Sequence, residues 1–162
     1  MGLRNIRKKG DPILKLKSRK VERFDDRLFT LLDDMRATMY EADGCGLAAV
    51  QVGVLKRAIV IDVGDGLIEL INPEIIETEG EQCELEGCLS LPGESGITLR
   101  PKRVKVRAQK RDGSFCEYSG EDLKARAFCH EIDHLDGHLY TERLAPQEVI
   151  ARLKAETQNT EE

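Results

Sequence analysis

The stretch His130-Glu131-Ile132-Asp133-His134 decides how this chain is organised. Its two histidines lie four positions apart, just over one turn of an α-helix, so on a helix both imidazoles project from the same face. Two such imidazoles can share a metal ion, and the glutamate between them reaches a water molecule bound there. The spacing therefore predicts a metal site on a helix, with Glu131 as the group that transfers protons.

The helix that contains this stretch is predicted over residues 121–135. Ser119 and Asp122 resemble an N-cap pair at its start. Apolar side chains cover much of its circumference: Leu123, Ala127, Phe128, Ile132 and Leu135. A helix that is apolar on most sides is buried, so we expect it at the centre of the fold.

Two further helices are predicted, one before and one after the central one. Residues 25–41 begin with two aspartates, which suit a helix N-terminus, and they place five apolar side chains on one stripe. These are Leu28, Leu31, Leu32, Met35 and Met39. Pro146 begins a last amphipathic helix, which we expect to continue to about Ala155.

Short β-branched segments predict strands between the helices, at residues 58–63, 67–71, 75–76 and 104–108 and from Phe115 onward. Gly64-Asp65-Gly66 predicts a hairpin between the first two, and Asp112-Gly113 predicts the last turn. Asn72-Pro73 is expected to break the second strand from the third, and residues 44–51 to form a loop. Strands and helices do not alternate regularly, which indicates an α+β domain with antiparallel strands around the central helix.

Composition excludes several classes of protein. A chain of 162 residues has the length of one domain, and 40% hydrophobic with 34% charged residues excludes intrinsic disorder and membrane embedding. Aromatic residues, at 4%, are too few for a stacking platform that binds single-stranded nucleic acid, and a net charge of -5 gives no general attraction to a polyanion. An odd number of cysteines and no hydrophobic leader predict a cytosolic protein with free thiols.

The first twenty residues form a basic arm. They contain eight basic side chains and a single acidic one, Asp11. Such an arm can bind nucleic acid or contact a ribosome, but a solvated terminus is the simpler expectation. We therefore predict one domain over residues 1–162, with frayed ends at 1–9 and 157–162.

A catalytic metal site of this kind needs a third protein ligand. The extended metalloprotease pattern would place a histidine at Tyr140, while His138 lies past the expected helix end and Glu156 lies in the tail. Cys88, within Glu86-Gly87-Cys88-Leu89-Ser90, is a soft anionic ligand on a backbone that can bend at glycine. Taken alone, however, it is typical of an ordinary buried thiol, as are the other four cysteines.

Three segments together resemble the signature motifs of the peptide deformylase family. They are Gly44-Cys45-Gly46-Leu47-Ala48-Ala49-Val50-Gln51, Glu86-Gly87-Cys88-Leu89-Ser90 and His130-Glu131-Ile132-Asp133-His134. Gly10-Asp11-Pro12-Ile13-Leu14 also resembles the opening segment of that family. The segments stand in the family's order and at similar separations, so the resemblance extends over residues 10–144 and implies the family's α+β fold.

The resemblance implies a site in which Cys88, His130 and His134 hold one divalent metal ion. In this family the ion is Fe²⁺ in the cell, and Ni²⁺, Co²⁺ or the less active Zn²⁺ can replace it. The implied reaction removes the formyl group from the N-terminal formyl-methionine of newly synthesised polypeptides, through a metal-activated water. Nascent chains, with a transient ribosome contact, are the implied partners, and we expect a cytoplasmic monomer.

The resemblance also assigns roles to other residues. Glu131 would act as general base and then general acid, while Gln51 and the backbone N–H of Leu89 would stabilise the oxyanion. The loop around Gly46 and the strand that ends at Glu86-Gly87 would hold the peptide as an added strand.

Three departures from the family pattern stand out. Val50 replaces a frequent proline, and Cys129 replaces a frequent glutamine beside the first histidine. Neither position is a ligand, so we expect little effect on the chemistry. The loop expected at Gly93-Glu94-Ser95-Gly96 lacks the basic residue that some members have there, so no peptide contact is transferred to it.

Two other functions remain open at this point. A small zinc peptidase would cleave unformylated peptides and survive Cys88→Ala. A non-catalytic metal or redox sensor would show reversible thiol oxidation and metal release without formyl hydrolysis. Gln51 and Glu131 favour a catalyst, because a sensor needs neither.

Overall fold

Helix α2 (Leu123–Leu135) is buried on most of its surface, as its sequence predicts. In the computed structural model, which describes residues 2–161 and side chains as far as residue 157, this helix packs against strands of a five-stranded sheet. The other two described α-helices are α1 (Asp26–Glu41) and α3 (Gln147–Glu161). None of the described helices is long and apolar enough to cross a bilayer.

Seven strands are described: β1 (Gly46–Ala48), β2 (Ala58–Ile61), β3 (Ile68–Glu79), β4 (Gln82–Cys88), β5 (Leu91–Arg100), β6 (Arg103–Gln109) and β7 (Phe115–Glu121). The larger sheet has the order β1-β2-β3-β6-β7, and all its neighbours are antiparallel. Strands β4 and β5 form a separate antiparallel pair. The predicted α+β class is therefore confirmed.

Helix α1 agrees with its prediction. The side chain of Asp25 caps its start by accepting a hydrogen bond from the backbone N–H of Leu28, at 3.2 Å. All five residues of the predicted apolar stripe are buried. They pack into a core cluster with strand β2, which places α1 on one side of the larger sheet.

The predicted break at Asn72-Pro73 is wrong, because β3 continues through it. The register with β6 shifts between Ile71 and Glu74, so the two residues form an irregularity within one strand. Asn72 takes a left-handed conformation with φ 52°, and its side chain bonds the N–H and C=O of Val21. These side-chain bonds stabilise a conformation that would otherwise end the strand.

Two other local predictions are wrong. Residues 44–51 are not a loop throughout, because β1 and a 3₁₀ turn (Ala49–Val52) lie within them. The predicted cap of α2 by Ser119 and Asp122 does not form, since Ser119 belongs to β7 and Asp122 makes no side-chain capping bond. Asp122 pairs instead with Lys102, at 2.9 Å.

The segment expected to be a loop at 93–96 lies within strand β5. Gly87 pairs with Ser95, but the next residue, Cys88, pairs with Leu91, so residues 92–94 bulge out of the pairing. The strand thus contains a register shift directly opposite Cys88.

Most residues of the two chain ends are described, and their predicted fraying stays a prediction. Residues 2–9 lie along the protein, and the backbone N–H groups of Gly2 and Arg4 donate to Asp34 and Thr38 on α1. Helix α3 extends past the expected end near Ala155 to Glu161. Residues 1 and 162, included in the predicted frayed ends, lie outside the described residues.

Gly137 follows the end of α2 in the left-handed conformation that commonly ends a helix. It has φ 80°, its N–H donates to the C=O of His134, and the N–H of His138 donates to the C=O of Asp133. A Cβ at this position would lie 2.5 Å from the carbonyl oxygen of Lys15. Only glycine therefore allows the segment after α2 to pack against the segment around Lys15.

We predict that Gly137→Ala destabilises the fold more than Gly113→Ala. Both glycines have φ near 80°, but a Cβ on Gly113 would meet only Phe24, at 3.9 Å. Gly113→Ala, the control, should lower the free energy of unfolding by about 1–2 kcal/mol because alanine disfavours the left-handed backbone. Gly137→Ala should lower it by about 1–3 kcal/mol more because of the clash. Urea unfolding of the two metal-loaded variants measures this difference, and equal midpoints would contradict it.

Candidate metal centre and groove

Cys88, His130 and His134 meet at one point in the structure. Cys88 ends β4, and the two histidines lie on α2. The Sγ atom of Cys88 lies 3.3 Å from Nε2 of His134, which lies 3.2 Å from Nε2 of His130. Ligand atoms about 2.0–2.3 Å from a tetrahedral ion lie roughly 3.3–3.7 Å apart, so these separations suit a metal centre.

The chemistry of the three donors also fits a cation. Nδ1 of His130 lies 2.9 Å from a carboxylate oxygen of Glu86, which accepts the Nδ1 proton and leaves Nε2 with a free lone pair. Burial lowers the pKa of His134 well below its ordinary value, so this imidazole is neutral. Its lone pair, that of His130 and the cysteine sulfur repel one another at this distance unless a proton or a metal ion lies between them. The residues therefore fit a bound metal ion.

The pKa of His130 is shifted in the opposite direction. Burial opposes a proton there, but the charge of Glu131 and the interactions with Cys88 and Glu86 outweigh it and raise the pKa well above its ordinary value. These acidic groups favour any positive charge at the imidazole. A metal ion competes with the proton for the same nitrogen.

Glu86 is the centre of a buried ionic network behind His130. Its carboxylate accepts from Arg100 Nε and Nη2, both at 3.0 Å, and from the Thr98 hydroxyl. Arg100 also donates to Asp133 on α2, at 2.6 Å. Burial acts to raise the pKa of Glu86, but the hydrogen bonds from His130 and Arg100 prevail and hold it at about 2. The carboxylate is therefore ionised, and only the backbone of Glu86 remains for contact with a peptide.

Glu131 lies beside the ligands with one oxygen available. It is buried, and its Oε1 atom has no hydrogen-bond partner among the described residues. Burial raises the pKa of Glu131 to about 7. A Cβ on Gly46 would lie 2.5 Å from Oε2 of Glu131, so glycine at that position leaves the space that the carboxylate occupies.

Gln51 presents its amide nitrogen to the ligands. Its Oε1 atom accepts from the N–H of Ala48 at 2.9 Å, which fixes the orientation of the amide. Nε2 then donates to the Ser90 hydroxyl at 3.0 Å and lies 3.7 Å from Sγ of Cys88. Leu89 follows Cys88 directly, and its side chain covers Gly44, where a Cβ would meet Leu89 Cδ1 at 2.7 Å.

Cys88, His130 and Glu131 line one groove of about 430 Å³, within the usual range for a ligand site, about 300–1,000 Å³. Its walls include Gly46, Gln51, Gly87 and Glu131, and the rim includes exposed Leu85. A larger surface depression of about 760 Å³ lies over β3, β6 and β7 and contains none of the predicted site residues. The groove beside the three ligands is therefore the candidate site.

The remaining candidates lie elsewhere. His138 is partly exposed and contacts Glu142, as predicted for a surface histidine. Tyr140 is buried and stacks on His130 with ring centroids 6.1 Å apart, so it packs behind a candidate ligand. All five cysteines are free thiols, as predicted. The sequence did not single out Arg100 or Ser90, whose partners become neighbours only in the folded chain.

Glu86→Gln should weaken metal binding by about 10- to 100-fold, because the amide holds the His130 proton less strongly and leaves Arg100 partly unpaired. Glu84→Gln, at an exposed position two residues earlier on β4, is the matched control. Competition with a chromogenic chelator measures both affinities. Equal affinity in the two variants would contradict the assigned role of Glu86.

Comparison with known proteins agrees with this geometry. The family model described as polypeptide deformylase matches residues 3–149. A peptide deformylase of Alkaliphilus metalliredigens is 61% identical over 144 residues, covering 89% of this chain and 98% of that protein. The crystal structure of peptide deformylase from Thermotoga maritima is 43% identical with a TM-score of 0.87, covering 89% of this chain and 99% of that one. One from Legionella pneumophila is 41% identical with a TM-score of 0.85, covering 98% and 96%. The chain belongs to the peptide deformylase family.

Proposed function

We propose that this chain removes the formyl group from the N-terminal formyl-methionine of newly synthesised polypeptides, with Cys88, His130 and His134 holding the metal ion. The activity is that of the family. The observation that supports these residues is the convergence of three ligand atoms within 4.8 Å of one another, beside Glu131 and Gln51. When bound, the ion supplies a water molecule acidic enough to be deprotonated near neutral pH.

Glu131 would move the proton that the reaction requires. Its buried Oε1 atom is free to accept a proton from water, and it can then deliver that proton to the departing amine nitrogen. A pKa of about 7 allows the carboxyl to act in both directions near neutral pH. Such general acid–base transfer typically contributes roughly 10²- to 10⁴-fold in rate.

Gln51 and Leu89 would stabilise the negative charge that develops on the formyl oxygen. The amide of Gln51 is held by Ala48 with its nitrogen directed toward Cys88, and it is buried, so it needs little reorganisation. The backbone N–H of Leu89 follows Cys88 in the chain and is independent of the side chain. One such donor commonly contributes about 10²- to 10³-fold in rate.

The substrate would bind as an extended strand along the groove. Gly46 in β1 and Gly87 in β4 belong to strands that both line the groove, and neither has a side chain to obstruct a peptide backbone. The Glu86 carboxylate faces His130 and Arg100, so that residue would contribute through its main chain. Methionine would then enter the apolar part of the groove.

The metal and the cellular setting are further parts of the proposal. Family membership supports Fe²⁺ as the cellular ion, and a thiolate with two imidazoles can also hold Zn²⁺, Ni²⁺ or Co²⁺. We also propose that the protein is a monomer, and the substrate class supports action in the cytoplasm on nascent chains, with a transient ribosome contact. The basic side chains of the N-terminal segment provide the charge for such a contact.

Glu131→Gln should lower kcat on a short formyl-methionyl peptide by at least about 100-fold while the protein keeps its metal, because the amide cannot accept the proton. Formate release under anaerobic conditions, with metal content measured in parallel, tests this. Glu142→Gln, an exposed carboxylate after α2, is the control and should remain active. Normal turnover by Glu131→Gln would contradict its role, and cleavage of unformylated peptides by the wild type would indicate a peptidase instead.

A further inference from the structure

Three consecutive residues of the N-terminal segment contact the elements that contain both oxyanion donors. The backbone N–H of Arg7 donates to the carbonyl of Gln51 at 2.7 Å, and that of Lys9 donates to the carbonyl of Ser90 at 2.8 Å. Between them, Nζ of Lys8 lies 3.2 Å from the carbonyl of Leu89. We propose that residues 7–9 are positioning residues for the oxyanion donors, an inference that rests on the proposed function.

Ser90 joins the segment to the Gln51 amide. It is fully buried; its carbonyl accepts from Lys9, and its hydroxyl accepts from Gln51 Nε2 at 3.0 Å. Any shift of the Ser90 backbone therefore moves the acceptor that helps to orient the catalytic amide. The same shift moves the N–H of Leu89, which precedes Ser90 in the chain.

The local structure explains why these donors need outside support. Gln51 lies in a four-residue 3₁₀ turn, and Leu89 and Ser90 form the turn between β4 and β5. Such short elements supply few hydrogen bonds of their own. A misplacement of about 1 Å in a catalytic group can cost roughly 100-fold in rate, so the two bonds from residues 7 and 9 matter for turnover.

The segment is itself anchored away from the groove. Arg4 donates its backbone N–H to Thr38 and its Nε to Asp34, each at 2.9 Å, and both acceptors are buried residues of α1. Residues 2–9 therefore form a strap from α1 to the groove. Its charged side chains at 8 and 9 are exposed, but its bonds to Gln51 and Ser90 are backbone bonds.

Lys9→Pro removes the second of these bonds and displaces the strap from Ser90. Lys9 is the second residue of a turn in which the N–H of Asp11 donates to the carbonyl of Lys8 at 3.0 Å, with Gly10 at φ 98°. Proline is favoured at this position of such a turn. The substitution keeps the turn, deletes the N–H donor and places a ring carbon against the Ser90 carbonyl.

The test is a double-mutant cycle between Lys9→Pro and Gln51→Ala, measured as formate release from a formyl-methionyl peptide. We expect Lys9→Pro to lower kcat by at least about 10-fold in the wild-type background and by a factor at least about three times smaller in Gln51→Ala, where only the N–H of Leu89 is left to be displaced. KM should change by less than about threefold in both backgrounds, because substrate binding is intact. Lys9→Ala, which keeps the N–H, should retain at least about five times the kcat of Lys9→Pro.

Lys17→Pro is the control for proline in this part of the chain. Lys17 is exposed and follows Leu16, whose φ −91° and ψ 146° suit a residue before proline. Its kcat should equal that of the wild type. The proposal would be overturned if Lys9→Pro lowered kcat by the same factor in both backgrounds. It would also be overturned if Lys9→Ala lost as much kcat as Lys9→Pro, or if Lys9→Pro lost none.

A second measurement does not depend on turnover. In ¹⁵N-labelled, zinc-loaded protein, Lys9→Pro should shift or broaden the side-chain amide resonances of Gln51, while Lys17→Pro leaves them unchanged. Unchanged Gln51 resonances in Lys9→Pro would overturn the positioning role. Absence of formate release by the wild type would refute the proposed function instead, and this measurement would still decide the role of the strap.

Discussion

The buried carboxylate of Glu86 connects the parts of the site. It accepts hydrogen bonds from His130 on α2 and from Arg100 on β5, and Arg100 continues to Asp133 on α2. An ionised carboxylate without partners in this interior would cost several kcal/mol or so. The strand pair β4-β5 and helix α2 therefore have one arrangement in which these charges are satisfied. The three proposed metal ligands lie on the same strand pair and helix.

The alternation of a β-strand explains how one segment provides both a ligand and its support. Glu86 and Cys88 are two residues apart on β4, so their side chains project to the same side. That side faces α2, where His130 meets Glu86 and His134 meets Cys88. The close approach of β1 through Gly46 leaves space for the Glu131 carboxylate, and the N-terminal strap holds the donors opposite. The groove therefore lies between elements that are each held in place by their own contacts.

The sequence predicted the features that depend on local periodicity. Helix α1, the burial of α2 and the pairing of its two histidines follow from spacing along one helix, whereas Cys88 was assigned through the family resemblance. Contacts between distant residues were missed. The Glu86–Arg100 pair requires the β4-β5 pairing, and the side-chain bonds of Asn72 to Val21 convert a predicted break into a continuous strand. The backbone bonds of Arg7 and Lys9 have no signal in side-chain chemistry, so the sequence did not predict them.

The central claim is that a metal ion is held by one sulfur and two imidazole nitrogens. X-ray absorption at the metal edge of the anaerobically purified, zinc-loaded protein tests it most directly. We predict one sulfur at about 2.3 Å and two nitrogens at about 2.0–2.1 Å, with the sulfur lost in Cys88→Ala. A shell of oxygen and nitrogen alone in the wild type, or a sulfur that persists in Cys88→Ala, would contradict the account.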